Sequence, residues 1–109
     1  MPRSPKGSRR ERELLEFLAQ KGFVVHRVAG SGLAGDAICD LVAVKDGKVE
    51  FIECKSRRKA YYSKFHSEQL KELIKIANRC KAKPVLAVKL NYKDWQFFDL
   101  NKELPEKVE

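Results

Sequence analysis

The stretch Cys39-Asp40-Leu41-Val42-Ala43-Val44-Lys45-Asp46-Gly47-Lys48-Val49-Glu50-Phe51-Ile52-Glu53-Cys54-Lys55 decides the fold. Asp-Gly between two apolar runs predicts a tight two-residue hairpin turn. With Asp46 and Gly47 as the loop, Lys45 faces Lys48, Val44 faces Val49, Val42 faces Phe51 and Asp40 faces Glu53. Opposed residues share a sheet face, with Cβ atoms about 4.5–5.5 Å apart. Two carboxylates placed that way repel, so they need a cation or a shared proton. Side chains alternate along a strand, which puts Lys55 on the face of Glu53, one step beyond it. Asp, Glu and Lys converging on one end of a hairpin suit metal-dependent cutting of a phosphodiester. The same register sets Cys39 opposite Cys54, on the face away from the acids.

Outward from the hairpin, the 109 residues make one domain with a single small core, which dimerisation would help to complete. The formal charge is +8. Bulk charge is weak evidence for a polyanionic partner, but its distribution is informative. Arg3, Lys6, Arg9, Arg10 and Arg12 crowd the N-terminus, and Lys55, Arg57, Arg58, Lys59 and Lys64 follow the hairpin with no acid between Cys54 and Ser67. Both clusters flank the acid pair. Cys39, Cys54 and Cys80 lack zinc-like spacing and read as reduced thiols, disulfides being features of oxidising compartments. No apolar run approaches the roughly 20 residues of a membrane span. The basic N-terminus lacks the apolar core of a signal peptide. These readings predict a cytoplasmic, soluble protein with no membrane partner and no small-molecule substrate.

Along the chain, residues 1–7 read as a basic flexible arm, 8–100 as the folded domain and 101–109 as a frayed polar tail. Ser8 has the character of an N-cap, with Glu11 three residues on, and Gly22 stops the helix that follows. Leu14, Leu15 and Leu18 form its apolar stripe, which Glu11 extends by one turn. Phe23–Val28 predicts a short strand, and the glycine-bearing segment Ala29–Ala37 a loop. A second helix runs from His66 or Ser67 to about Cys80, with Leu70, Leu73, Ile74 and Ala77 as its core stripe and Ile76 and Cys80 widening it. Strands follow at Pro84–Leu90 and Asp94–Leu100, and Trp95, Phe97 and Phe98 read as core. The order helix, three strands, helix, two strands predicts an α/β fold: a central mixed five-stranded sheet flanked by helices.

Phosphodiester hydrolysis needs a nucleophilic water, neutralisation of the phosphate and help for the leaving oxygen, all of which divalent metals supply. Magnesium prefers hard oxygen ligands and keeps several waters. Asp40 and Glu53 are the central ligand candidates, with the backbone carbonyl of Cys54 as another. Lys55 suits contact with the scissile phosphate or orientation of the attacking water. For Glu11 two readings compete, a capping box with Ser8 and a place beside the metal, because one carboxylate would have to reach in two directions. Asp36 is a rival acid without a fixed register to Glu53.

Asp40 followed by Glu53-Cys54-Lys55 fits the D…(E/D)xK signature of the restriction-endonuclease-like nucleases. The segments Lys6-Gly7-Ser8-Arg9-Arg10-Glu11-Arg12-Glu13-Leu14, Gly22-Phe23-Val24-Val25-His26-Arg27-Val28-Ala29-Gly30-Ser31 and Pro84-Val85-Leu86-Ala87-Val88-Lys89 resemble archaeal-type Holliday-junction resolvases, in the same order, from about Lys6 to Phe98. The resemblance implies a single restriction-endonuclease-like domain, a homodimer, and four-way junction DNA as partner. It implies paired symmetric nicks leaving 5′-phosphate ends, in recombination and repair, with magnesium as cofactor and manganese able to substitute. The family's metal and catalytic acids fall on Glu11, Asp40 and Glu53, with Lys55 as the catalytic lysine. Its DNA contacts fall on Arg12, Arg27 and Lys89, and on Ser31 in a loop near the cut. The chain departs from the family pattern in a longer loop between Ser31 and Asp40, and in Ile76 and Cys80 where some members carry phenylalanines near the subunit contact.

Recognition is then of shape and backbone, with Arg9, Arg10, Arg57, Arg58 and Lys59 neutralising phosphates. Two other readings stand beside a resolvase: a nuclease of the same fold acting on other branched or duplex DNA, and a non-catalytic junction-binding protein.

Overall fold

The computed structural model describes residues 5–28 and 38–109, with side chains from residue 9. Helix α1 spans Pro5–Gln20, β1 Val24–Arg27, β2 Leu41–Lys45, β3 Lys48–Arg57 and β4 Tyr61–Tyr62. A 3-10 turn at Ser63–His66 leads into α2, Ser67–Arg79, followed by β5 Lys83–Leu90, β6 Gln96–Asp99 and β7 Lys107–Val108.

The five-stranded sheet has the order β1-β2-β3-β5-β6. β3 and β5 are parallel and the other pairs antiparallel, so the sheet is mixed as expected. A parallel pair needs a crossover, and α2 supplies it. The β2–β3 register is the one predicted: Lys45↔Lys48, Val44↔Val49 and Val42↔Phe51. Asp46 and Gly47 both have positive φ, 53° and 77°, as a primed hairpin turn requires. The ladder stops at Leu41↔Ile52, one pair before Asp40 and Glu53, and the amide of Asp40 instead donates to the Ile52 carbonyl at 3.0 Å. Leaving the ladder there turns Cys39 over. It packs with the α2-side cluster while Cys54 packs with the α1-side cluster, so the expected opposition of the two thiols is corrected. All three cysteines are free.

Each sheet face has its own core. Leu14 and Leu18 of α1 pack on Leu41, Ala43, Ile52, Val85 and Ala87. Leu70 and Leu73 of α2 join Leu86, Val88, Leu90, Leu100, Tyr61 and Val108 on the opposite face. In α2 the buried stripe is Leu70, Leu73 and Ala77, with Ile76 half-buried and Cys80 exposed.

Three local expectations are corrected. α1 begins at Pro5, so Ser8 lies inside the helix and cannot be its N-cap. Proline is tolerated in a first turn because its missing N–H would have had no helical partner there. The tail is not frayed at Lys107–Val108, because β7 pairs with β4 as Tyr61↔Val108 and Tyr62↔Lys107, and Val108 is buried. Phe97 is exposed and stacks on Phe17 at the surface, while Trp95 and Phe98 pack against the two cores. The C-terminus of α1 follows its sequence signal. Gly22 has φ 95°, and the bonds Gly22 N–H to Ala19 O and Phe23 N–H to Leu18 O form a Schellman end. No described helix is long and apolar enough to cross a membrane.

Candidate active site

Alternation along β3 sends Phe51 into the α2-side core, and Glu53 and Lys55 follow on that face. Glu53 is 3 % exposed and Asp40 8 %. The Lys55 Nζ lies 3.1 Å from Glu53 Oε2 and donates to Gln69 Oε1 at 3.2 Å. Oδ2 of Asp40 accepts the backbone N–H of Cys54 at 2.9 Å, where the ladder has stopped. The Asp40 carboxylate lies close enough for its charge to act on Glu53. Asp40, Glu53 and Lys55 thus lie near one another, although the ladder that was expected to pair Asp40 with Glu53 ends at Leu41↔Ile52.

Burial holds the Glu53 carboxyl at about 7 instead of its ordinary 4.5, the charge of Asp40 pushes the same way, and Lys55 opposes both. Burial likewise raises the Cys54 thiol, with Asp40, Glu11 and Glu53 adding to the effect. Burial lifts the Cys39 thiol to about 12, and its Sγ donates to the Leu41 carbonyl at 3.3 Å. These two thiols are inert core groups.

Glu11 is 4 % exposed, as its place on the apolar stripe of α1 predicts. Its Oε1 accepts from Arg27 Nη2 at 3.2 Å. Arg27 pairs with Leu41 in the ladder, so both belong to the α1 side of the sheet, opposite the Glu53 side chain. Cys54 lies between, within the electrostatic reach of Glu11, Asp40 and Glu53. Among the described residues, no three His, Cys, Asp or Glu side chains converge as a metal cage. The two-acid pair still fits a hard divalent cation. Both carboxylates are desolvated and mutually repelling, and magnesium completes its coordination with water.

The basic candidates are spread over both faces. Arg9, Arg12, Arg58 and Lys59 are exposed. Arg10 is ion-paired to Glu13 at 2.8 Å. Arg57 donates to the Ser56 carbonyl at 2.8 Å and lies 3.1 Å from His66 Nε2. Lys89 turns back on its own connection, its Nζ donating to the carbonyls of Leu90 and Lys93. Ser31 and Asp36 lie outside the described residues.

Gln69, His66 and Tyr61 were not among the predicted site residues. Gln69 falls on the polar face of α2, where spacing carries no signal, and meets Lys55 only because the crossover folds back over β3. Tyr61 is fully buried, its hydroxyl has no hydrogen-bond partner among the described residues, and burial with the charge of Glu53 raises it to about 12.

The family described as "Archaeal holliday junction resolvase (hjc)" matches residues 3–108. The crossover junction endodeoxyribonuclease Hjc of Methanocaldococcus jannaschii is 41 % identical over 88 residues, covering 79 % of this chain and 60 % of that protein. The Archaeoglobus fulgidus protein of the same name is 37 % identical over 95 residues, covering 85 % and 68 %. A solved structure of A. fulgidus Hjc, a Holliday junction resolvase, superposes with a TM-score of 0.75 at 35 % identity, covering 85 % of this chain and 75 % of that one. The match therefore takes in less than two thirds of the M. jannaschii relative's length. With a family match over nearly its whole length, the chain belongs to the archaeal Holliday-junction resolvase (Hjc) family.

Proposed function

We propose that the chain is a magnesium-dependent endonuclease that resolves four-way DNA junctions by paired, symmetric nicks in opposing strands, leaving 5′-phosphate ends. The observation that carries this reading is the buried Asp40–Glu53 pair with the Lys55 ammonium 3.1 Å from Glu53. Family membership supports the junction as substrate.

Asp40 and Glu53 would hold the cation, with the Cys54 carbonyl as a further ligand candidate; Glu11, on the α1 side and bonded to Arg27, would act through a water on the cation and not as a direct ligand. Bound there, a divalent ion lowers the pKa of a coordinated water and stabilises charge on the phosphate. The remaining roles belong to this chain's own groups. Lys55, fixed between Glu53 and Gln69, presents an ammonium to the scissile phosphate. Asp40 ties strand β3 at Cys54 and holds the acid pair in register. Arg9, Arg10, Arg12, Arg27, Ser31, Arg57, Arg58, Lys59 and Lys89 are the DNA-contact candidates. Of these, Arg10, Arg27 and Lys89 would exchange an internal partner for phosphate. The free thiols suit a reducing cytoplasm.

A homodimer fits the two exchange points of a junction. Its contact face would include Val24 and Val44, cross-strand partners that are 62 % and 36 % exposed.

The test is cleavage of a strand-specifically end-labelled four-way junction with and without magnesium, alongside linear duplex, flap and splayed substrates. Paired nicks confined to the junction are expected. Equal cutting of all substrates would overturn the resolvase reading, as would tight junction binding without cleavage. Replacing Lys55→Ala should cut the nicking rate about 10²–10³-fold, the effect of losing one preorganised charge-stabilising donor.

A further inference from the structure

β3 presents Glu53, Lys55 and then Arg57 on one face, in steps of about 6.7 Å. The Arg57 guanidinium is held on three sides. Nη1 donates to the Ser56 carbonyl at 2.8 Å, Nη2 lies 3.1 Å from His66 Nε2, and the Tyr61 ring centroid is 5.6 Å from Cζ. Arginine only donates, so Nε2 accepts, which fixes a neutral imidazole with its proton on Nδ1. Burial and the nearby cations Lys55 and Arg57 keep His66 below its usual pKa, in agreement with that assignment. The His66 ring stacks on Tyr61, centroids 5.4 Å apart and 16° from parallel. Tyr61 in turn is fully buried and paired with Val108 of β7. The support for Arg57 is therefore built from the core outward.

Beside this stack is an open hollow of about 560 Å³ lined by Arg57, Arg58, Lys59, Ala60 and Tyr62. Three cationic side chains and an exposed aromatic ring, with no carboxylate in the lining, match a nucleic-acid backbone: phosphate on the cations, sugar against the ring.

We propose that His66 is a positioning residue that fixes Arg57 as the clamp for a backbone phosphate neighbouring the one cut at Lys55. The inference rests on the nuclease reading above and deepens it. A guanidinium held in its binding orientation loses less freedom when the phosphate arrives.

The test is four-way junction binding in EDTA, as a function of salt, for wild type, Arg57→Ala, His66→Phe, His66→Gln and the Arg57→Ala/His66→Phe double variant. His66→Phe keeps a ring on Tyr61 but removes the acceptor. It should weaken binding about tenfold, the loss of one charge-assisted contact. It should also flatten the log Kd against log salt plot by about one, as Arg57→Ala does. The double variant should bind no worse than Arg57→Ala alone. His66→Gln, which can still accept from Arg57, should stay within about twofold of wild type and keeps the test decisive should the phenylalanine variant unfold. An unchanged salt slope in His66→Phe, additive losses in the double variant, or a His66→Gln variant as weak as Arg57→Ala would overturn the assignment. A wild type that does not bind the junction would instead sink the functional reading beneath it.

Discussion

Oδ2 of Asp40 holds the backbone N–H of Cys54 at 2.9 Å, so one carboxylate both closes the gap left by the β2–β3 ladder and faces Glu53. These two duties separate by substitution. Asp40→Asn keeps an oxygen acceptor for the amide and removes the repulsion with Glu53. It should fold as stably as wild type, bind junctions and fail to nick. Asp40→Ala leaves a buried donor unsatisfied and should cost about 1–3 kcal/mol on denaturant melts. Equal stability of the two variants would remove the structural half of the role.

The Glu53 carboxyl binds its proton more tightly in the fold, at about 7, than in the unfolded chain, near 4.5. Its contribution to stability is thus fully present below about pH 4.5 and is lost as pH rises to 7. Metal-free protein in EDTA should lose on the order of 3 kcal/mol across that window from this group. Glu53→Gln should show a correspondingly flatter profile, measured by urea melts at fixed ionic strength. Superposable profiles for the two proteins would contradict the assignment.

Val24 and Val44 lie side by side on the sheet face that carries Val42. If that face is the subunit contact, Val24→Lys should move the protein from dimer to monomer in sedimentation equilibrium, because the charge would be buried against apolar surface. The melting curve should then lose its dependence on protein concentration. A dimer unaffected by Val24→Lys places the contact elsewhere.

Val108 is buried against Tyr61. Val108→Ala should cost about 1–2 kcal/mol, at roughly 0.8 kcal/mol per buried methylene. A change within a few tenths in urea melts would mean that β7 adds nothing.

Lys81 ends α2 with φ 58°, a conformation that suits glycine, and the bonds Lys81 N–H to Asn78 O and Ala82 N–H to Ala77 O close the end. Lys81→Gly should therefore stabilise the protein by about 1 kcal/mol, read as a raised melting temperature. A lower one would show that the lysine side chain makes up for its strain.

The hairpin was legible because Asp46-Gly47 fixes a turn type and a turn type fixes a register; Lys55 beside Glu53 followed from alternation alone. The burial of Glu11 was legible from its helical spacing to Leu14. The start of α1 was not, since a serine followed by a glutamate three residues later imitates a cap wherever the helix begins. β4 and β7 are two residues each, too short for any periodicity, and form only because Lys107–Val108 return to Tyr61. Gln69 and His66 escaped for a related reason. Their partners, Lys55 and Arg57, are 14 and 9 residues away, and the contacts arise only once the crossover is closed.

The strand that carries Glu53, Lys55 and Arg57 pairs with β2 only as far as Ile52, whereas its ladder with β5 runs on to Arg57. Beyond Ile52 it therefore has one open edge, tied at Cys54 by the Asp40 carboxylate. Its amides up to Ile52 should exchange with deuterium only when the whole domain opens, while those beyond it that face away from β5 should exchange through local opening. Adjustment of Glu53 and Lys55 to whatever binds there can then begin at that open edge.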